Sequence, residues 1–249
     1  MLTVGVDLAA EAVRTAVALL DWSGEGARVR EVVVGADDDL IVETLMDADK
    51  AGVDCPFGWP DRFVDFVTAH RNGHVEVPAG VAGRTWRGDL VHRVTDRVVI
   101  ELTGQRPLSV SADRIGHTAM RCAALLAELA RRGRPVGRAG DGVVVEVYPA
   151  ASLRCWGLTS NGYKRSANLG TLGLLVDELQ AAAPWLDLGA HEGLCRGSDD
   201  ATDAVVAALT ARAAALGRVT APSREQVLTA RSEGWIALPT VALRDLRPE

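Results

Sequence analysis

The N-terminal stretch LTVGVDL, residues 2–8, is a short apolar run that contains a single acidic residue. Two more apolar runs follow at residues 13–21 and 27–35, each after a short turn-like segment. Runs of this length between turn-forming residues are typical of β-strands joined by tight connections. This part of the chain therefore predicts a three-stranded antiparallel meander.

A helix and a further strand follow the meander. Residues 37–39 are three aspartates that can cap a helix reaching about Ala48, and AGVDC at residues 51–55 is typical of a buried strand that Pro56 ends. Helical patterns then recur at 113–132, 169–183 and 199–216, with strand patterns at 142–148 and, as an edge candidate, 234–239. This order predicts an α/β fold with a mixed five-stranded sheet, its first three strands antiparallel, and helices on both faces.

Residues 56–110 depart from this alternation. Glycine, proline, aromatic and arginine residues are mixed there, although residues 61–71 have a helical pattern. We interpret this segment as an insertion over the edge of the sheet. Because the sequence contains no internal repeat and no low-complexity linker, we predict one domain over residues 1–249 with the insertion at about 56–110.

Composition limits the classes of function. The chain has 249 residues, 48% of them hydrophobic, which is enough for an enzyme-sized core. Its formal net charge of −6 argues against bulk electrostatic coating of nucleic acid, so such a partner requires a local basic surface. Charged residues interrupt every apolar run, and the four cysteines form no CxxC pair. We therefore predict a cytoplasmic protein with no membrane association and no zinc site.

Two predicted strands end in a carboxylate. Asp7 lies in VGVDLA, residues 4–9, and Asp54 lies at the end of the strand at 51–55. A carboxylate among apolar residues loses hydration energy unless it is paired or bound to a metal, although a strand-end aspartate can also cap a turn. Because neighbouring strand ends lie close together in a sheet, we expect Asp7 and Asp54 to approach within metal-bridging distance.

The segment SDDATDA, residues 198–204, opens an otherwise apolar helix. Asp200 and Asp203 are three residues apart and share one face of its first turn. Acidic residues at a helix N-terminus are also favoured by capping and by the helix dipole, at about 0.3–1 kcal/mol each. Their number, added to the strand carboxylates, favours a metal site that serves as the catalytic centre. Its predicted ligands are Asp7, Asp54, Asp200 and Asp203.

Four further charged residues are candidates for binding substrate. Glu146 lies in a valine-rich strand, where the alternative is an inward-facing residue paired with an arginine. Arg93 and Asp96 lie in the insertion, where the alternative is a solvent-facing turn with a local salt bridge. Lys164 suits a phosphate if it lies near the carboxylates, although a lone surface lysine is the commoner case. The five histidines lack the spacing of a metal-ligand set.

Seven motifs of this chain resemble the successive motifs of the domain of unknown function 429 family, and the resemblance spans nearly the whole sequence. They are VGVDLA (4–9), VDCPFGWP (53–60), RVTD (93–96), VEVYP (145–149), YK (163–164), DATDA (200–204) and EGWI (233–236). Members of that family are described as predicted nucleases of RNase H fold. The resemblance therefore implies an RNase H-like fold and a nucleic-acid substrate, DNA or RNA.

A weaker similarity links the chain to RuvC-type Holliday-junction resolvases. In those enzymes a first-strand aspartate, an acidic residue on the fourth strand and two aspartates on the last helix bind the metals. Asp7, Asp54, Asp200 and Asp203 occupy the matching places. The chain departs from the resolvases at Asp54, where they carry glutamate, and in its arginine-bearing insertion, so a junction substrate is not implied.

Together these residues suit two-metal hydrolysis of phosphodiester bonds. Four carboxylates can hold two Mg²⁺ or Mn²⁺ ions about 3.5–4 Å apart, with Asp7 bridging them, and such hard cations prefer oxygen ligands. A local phosphate-binding surface would come from the insertion. Its candidate residues are Arg84, Trp86, Arg87, Arg93, Arg97 and Arg106.

Two other functions compete with a nuclease. An actin-like or sugar-kinase-like phosphotransferase also opens with a hairpin carrying an aspartate, but it needs a second glycine-rich phosphate loop, and here the strand around Glu146 runs directly into Tyr148 and Pro149. A non-catalytic member of the RNase H-like fold would use the same cleft to bind a nucleotide, nucleic acid or protein. The sequence leaves this second alternative open.

Overall fold

The structure, a computed structural model, describes residues 1–24 and 26–247. These residues form six β-strands and ten α-helices, with four short 3₁₀ helices. The strands are β1 (Leu2–Asp7), β2 (Ala16–Ser23), β3 (Gly26–Val34), β4 (Lys50–Asp54), β5 (Val144–Glu146) and β6 (Leu186–Asp187). The helices are α1 (Asp38–Asp47), α2 (Asp61–Arg71), α3 (Gly83–Val91), α4 (Val94–Thr103), α5 (Gly116–Arg131), α6 (Pro149–Cys155), α7 (Leu169–Ala182), α8 (Glu192–Gly197), α9 (Asp199–Ala215) and α10 (Val227–Glu233).

The strands form one mixed sheet in the order β5-β4-β1-β2-β3-β6. β1 pairs antiparallel with β2, and β2 pairs antiparallel with β3, so β1 and β3 run in the same direction. β4 is parallel to β1, and the outer strands β5 and β6 are parallel to their neighbours. The fold is therefore α/β with a mixed sheet.

The predicted number of five strands is wrong, since the described part of the chain contains six. The additional strand, β6, is only two residues long and pairs with Ala27 and Arg28 of β3. A two-residue strand is too short for the period-two pattern by which strands are recognised.

The predicted edge strand at 234–239 is also wrong. Within these residues Ile236 forms an isolated bridge with Glu146, and its backbone N–H donates to the side chain of Thr95 at 2.8 Å. Ala237 then donates its backbone N–H to the carbonyl of Glu146 at 2.9 Å. The segment therefore touches the end of β5 without extending the ladder.

Apolar side chains pack on both faces of the sheet. On one face Val4 and Val6 of β1 pack with residues of α1 and α5, including Ile41 and Leu125. On the other face Ala16, Ala18 and Leu20 of β2 pack with buried residues of α7 and α9. Side chains alternate along a strand, so Gly5, which lies between Val4 and Val6 in β1, faces α9.

Two glycines let helix α9 lie directly on the sheet. A Cβ atom on Gly5 would overlap the backbone of Ala204 and Ala208, and one on Gly52 would lie 2.7 Å from the carbonyl oxygen of Ala207. Both strand positions must therefore be glycine for α9 to pack at this distance. This close packing brings the first turn of α9 to the ends of β1 and β4.

The region 56–110 contains three helices, α2, α3 and α4. The helical pattern at 61–71 is confirmed by α2, which spans those same residues. Within the described residues, no helix is both long and apolar enough to cross a membrane.

Candidate functional site

Asp7 and Asp54 are partners at the ends of two adjacent parallel strands. In the register of β1 and β4, Asp7 lies opposite Asp54, just as Gly5 lies opposite Gly52. Because Gly5 and Gly52 face α9, alternation places both carboxylates on that same face. Both side chains are half-buried. The structure thus brings these two predicted ligands together.

Asp203 lies in the first turns of α9, beside the strand ends that carry Asp7 and Asp54, and is 1% exposed. Its Oδ1 accepts a hydrogen bond from the hydroxyl of Tyr163 at 2.8 Å. Its Oδ2 lies 2.6 Å from Nζ of Lys164, whose side chain is 48% exposed. Asp203 is therefore held by a phenol on one oxygen and by an ammonium group on the other.

Asp200 lies at the rim of the site, where it is bound by an arginine from the N-terminal hairpin. Nε and Nη2 of Arg14 donate to its two oxygens at 2.8 and 2.9 Å, which is a bidentate ion pair. The Arg14 side chain is 62% exposed. The fourth predicted ligand is thus committed to a partner on the protein in this structure.

Burial and repulsion from neighbouring carboxylates raise the pKa values of Asp7, Asp54 and Asp203. Desolvation is the largest cause at each of them. Repulsion from Asp203 and Asp54 adds to it and holds the pKa of Asp7 well above its usual range. The pKa of Asp54 is raised to about 7, although the positive charge of Lys164 works against this shift. The three side chains therefore form one coupled group of negative charges.

Lys164 partly neutralises this group. Burial lowers the pKa of its ammonium group, but attraction to Asp203, Tyr163, Asp54 and Asp7 outweighs burial and leaves the pKa raised. The lysine therefore stays protonated beside the carboxylates at neutral pH. It is the cation that contacts Asp203, while Arg14 binds Asp200 at the rim.

Arg93, Asp96 and Glu146 form a separate buried network. The guanidinium group of Arg93 contacts both Asp96 oxygens and both Glu146 oxygens, and Nη1 also donates to the backbone carbonyl of Glu233 at 3.0 Å. All five N–H donors of the arginine are engaged in this way. Arg93 is 1% exposed. The role of these three residues in binding substrate stays a prediction, and in this arrangement Arg93 has its donors committed to the protein.

The other arginines of the predicted phosphate-binding surface are more accessible. Arg84, Arg87, Arg97 and Arg106 are all exposed. The guanidinium carbon of Arg87 lies 5.9 Å from the centroid of the Trp86 ring. The surface of α3 can therefore present positive charge beside an aromatic ring.

The donor chemistry of the site fits a hard cation. Asp7, Asp54 and Asp203 offer only oxygen ligands, as Mg²⁺ and Mn²⁺ prefer. Within residues 1–24 and 26–247, however, no group of three or more histidine, cysteine, aspartate and glutamate side chains has the arrangement of a metal site. A metal would have to compete with Lys164 for Asp203, and the metal role of the four aspartates stays a prediction.

Sequence reasoning missed three contributors to the site. Arg14 gives no local signal, because its partner Asp200 is 186 positions away. The Tyr163-Lys164 pair was visible as a motif, but the hydrogen bond from the phenol to Asp203 was not. Arg165 has a φ of 81°, in the left-handed region, and its N–H donates to Asp199 at 3.3 Å. A non-glycine residue in that region is strained, and such strain is concentrated at functional sites.

Comparison with known proteins identifies the family. A family model described as "Protein of unknown function (DUF429)" matches residues 5–227, which confirms the resemblance noted from the motifs. No curated protein and no solved structure matches the chain.

Proposed function

The chain belongs to the DUF429 family, and from the geometry of its carboxylates we propose that it is a metal-dependent nuclease with an RNase H-like fold. The observation that carries the proposal is the convergence of Asp7, Asp54 and Asp203 from two parallel strand ends and one helix. Carboxylates whose pKa values are raised by desolvation and by repulsion from neighbouring carboxylates are costly to the fold, and clusters of such perturbed groups are concentrated at functional sites.

The sheet topology supports the RNase H-like assignment. A meander of β1, β2 and β3, followed by α1 and a β4 that pairs parallel to β1, places the two strand carboxylates at the same edge. Helix α9 then lies across these strands and contributes the third carboxylate. This is the arrangement that the resemblance to the family implies.

Each residue of the site has a proposed task. Mg²⁺ or Mn²⁺, when bound, would supply the charge that activates water and stabilises the leaving oxygen of a phosphodiester. Asp7, Asp54 and Asp203 would hold it, and Tyr163 would orient Asp203 through its hydrogen bond. Lys164, half-exposed and protonated, would donate to an oxygen of the substrate phosphate. Arg14 would keep Asp200 at the rim until a ligand draws it inward.

One observation favours a second function, a non-catalytic member that binds a nucleotide, nucleic acid or protein. The ion pair between Lys164 and Asp203 already supplies a counter-charge to the cluster. A site that carries its own cation can persist without metal and without turnover.

A nuclease panel tests the proposal. Single- and double-stranded DNA, RNA, hybrids and junctions are incubated with Mg²⁺, with Mn²⁺ or with a chelator. We expect metal-dependent cleavage of at least one substrate by the wild type and none by Asp7→Asn. Asp47→Asn is the matched control, because Asp47 is an exposed residue of α1 away from the carboxylates.

A thermal-shift titration with Mn²⁺ separates the two functions. A metal site adds RT ln(1 + [L]/Kd) to the stability of the wild type and less to that of Asp7→Asn. Saturable stabilisation without cleavage of any substrate would favour the binding function. Absence of both stabilisation and cleavage would contradict the nuclease.

A further inference from the structure

A cavity of about 390 Å³ lies directly beside the carboxylates. Four segments line it: 54–56 at the end of β4, 105–115 after helix α4, 146–150 at the end of β5, and the loop 160–164 that ends at Lys164. Asp54 and Lys164 are among its lining residues, so the cavity and the carboxylate site share a boundary. Its volume falls within the range of about 300–1,000 Å³ typical of small-molecule sites.

The walls combine apolar surface with a few side-chain amides. Pro107, Leu108 and Ile115 supply apolar surface, and Tyr148 adds an aromatic ring. Such walls suit a flat, weakly polar ring system, because aromatic rings and apolar groups pack against its faces.

The amides lie around the buried hydroxyl of Ser160. Gln105 donates to Oγ of Ser160 at 3.0 Å, and Asn161 donates to the same atom at 3.4 Å. Within the described part of the chain, the amide oxygens of Gln105 and Asn161 accept no hydrogen bond. These two acceptors, with the remaining amide N–H groups, can pair with the donors and acceptors on the edge of a nucleobase.

The charged residues around the cavity limit the kinds of ligand that it can bind. Arg93 and Glu146 both line it, but they are ion-paired with each other, Arg93 also binds Asp96, and every donor of Arg93 is engaged. Lys164 is the cation at the boundary with the carboxylates, and half of its side chain is exposed. The cavity therefore has one cation, Lys164, and one carboxylate, Asp54, at the end that it shares with the carboxylate site, and mostly uncharged hydrogen-bonding groups elsewhere, which does not suit a polyanion buried along its whole length.

We propose that this cavity binds one unpaired nucleotide unit, its base among Tyr148, Gln105 and Asn161 and its phosphate at Lys164. The proposal rests on the nuclease function, since it places the phosphate of that unit at the carboxylates. A base inside a duplex is stacked and paired, so it must leave the helix before it can enter a cavity of this size. The substrate class is therefore single-stranded nucleic acid, a strand end or a free nucleotide, and not an intact duplex.

Binding measurements with a blocked cavity test this inference. Leu108→Trp places a large ring at a wall position that is 45% exposed, so the variant should fold. Leu102→Trp is the matched control, because Leu102 is 60% exposed on α4 and does not line the cavity. The probes are nucleoside monophosphates, short single-stranded DNA and RNA, and a blunt duplex, titrated into each protein in the presence of Mn²⁺ and followed by calorimetry.

We expect the wild type and Leu102→Trp to bind single strands more tightly than the duplex. Leu108→Trp should weaken single-strand binding by about tenfold or more, the scale of one lost base-stacking contact. Binding of monophosphates as well as single strands points to free nucleotides, and binding of single strands alone points to a unit within a chain. Gln105→Leu, which replaces the amide with an apolar side chain, is the second variant and should alter the preference among bases.

The outcomes separate this inference from the nuclease proposal. If Leu108→Trp and Gln105→Leu, with wild-type melting temperatures, bind every probe as the wild type does, the cavity does not hold the nucleotide. Binding of the duplex as tight as that of single strands, or binding of no probe, overturns the inference as well. If binding depends on Leu108 but no substrate of the nuclease panel is cleaved, the cavity inference stands and the nuclease proposal fails.

Discussion

Nζ of Lys164 lies 2.6 Å from Oδ2 of Asp203, so the buried aspartate of helix α9 is neutralised by a lysine that half faces solvent. The two residues are 39 positions apart and belong to a loop and a helix, respectively. A metal bound as proposed would have to compete with the ammonium group for Asp203, and the pair would then connect the stability of the protein with its affinity for metal.

Removing this lysine should make the protein less stable and more responsive to metal. Lys164→Met leaves Asp203 buried without its ion pair. Breaking a fully buried pair costs about 3–5 kcal/mol, and exposure of the lysine reduces the expected loss to about 1–2 kcal/mol. Urea denaturation measures it. Mn²⁺ should then raise the melting temperature of Lys164→Met more than that of the wild type.

A double-mutant cycle provides the control for this prediction. Lys164→Met combined with Asp203→Asn should be less destabilised than the sum of the two single variants, since no unpaired charge remains. Strict additivity, together with equal Mn²⁺ shifts in Lys164→Met and the wild type, would show that the ion pair does not occupy the cation's place.

Stability without metal should fall as the pH rises from about 4 to about 7. Burial raises the pKa of Asp54 to about 7, and the pKa values of Asp7 and Asp203 are also raised. In this window the folded state binds more protons than the unfolded state, whose aspartates have a pKa of about 3.9, so deprotonation favours unfolding. Each carboxylate contributes at most about 1.4 kcal/mol per pH unit.

Asp54→Asn isolates this contribution. The difference in unfolding free energy between the wild type and Asp54→Asn, measured with a chelator present, should change across the window in favour of the variant. Asp47→Asn, altered at an exposed helix position, should parallel the wild type. A pH-independent difference between the wild type and Asp54→Asn would contradict the raised pKa of Asp54.

Loss of Arg93 should destabilise the protein strongly. Its guanidinium group forms ion pairs with both Asp96 and Glu146, and all three side chains are at most 2% exposed. Arg93→Ala leaves two buried carboxylates without their cationic partner, a change expected to cost about 3–5 kcal/mol in chemical denaturation. Arg97→Ala on the same helix is the matched control, and it should cost less than about 1 kcal/mol because Arg97 is 53% exposed.

A different result for Arg93→Ala would indicate a role in binding substrate. If Arg93→Ala keeps the melting temperature of the wild type but weakens nucleic-acid binding and reduces its salt dependence, Arg93 contacts substrate phosphates. The buried network would then have to open when substrate binds.

Gly5 should tolerate no side chain, because helix α9 packs against it. A Cβ there would overlap the backbone of Ala204 and Ala208. Gly5→Ala should therefore cost about 1–3 kcal/mol or more and move α9, with Asp203, away from Asp7. Mn²⁺ should also stabilise this variant less than the wild type in thermal-shift measurements.

Gly170→Ala is the matched control for Gly5. Gly170 lies in helix α7 with no atom within 4 Å of an added Cβ, and alanine is the better helix former, so this variant should be as stable as the wild type or more stable. A Gly5→Ala variant with wild-type stability would mean that α9 does not rest on β1.

The elements that were predicted correctly are those with a local signal in the sequence. Strands β1 to β4 and helices α1, α2, α5, α7 and α9 lie within a few residues of their predicted positions, because a period of 2 or 3.6 in apolar residues is written into neighbouring positions. The side chain of Asp37 caps α1 through the N–H of Leu40, as its position before an apolar run predicted. The chain's motifs were also sufficient to predict its family.

The partners of the charged side chains could be identified only from the tertiary structure. Asp7 and Asp54 were predicted to approach because strand ends are neighbours, but Asp200 turns to Arg14 and Asp203 to Lys164. The residue types of Arg93 and Glu146 do not indicate whether the two side chains face solvent or each other. The packing of the fold buries them as an ion pair. An ion pair between residues far apart depends on strand register and helix placement, and no local pattern encodes these. The carboxylates could therefore be predicted from the sequence, but their partners could be identified only from the tertiary structure.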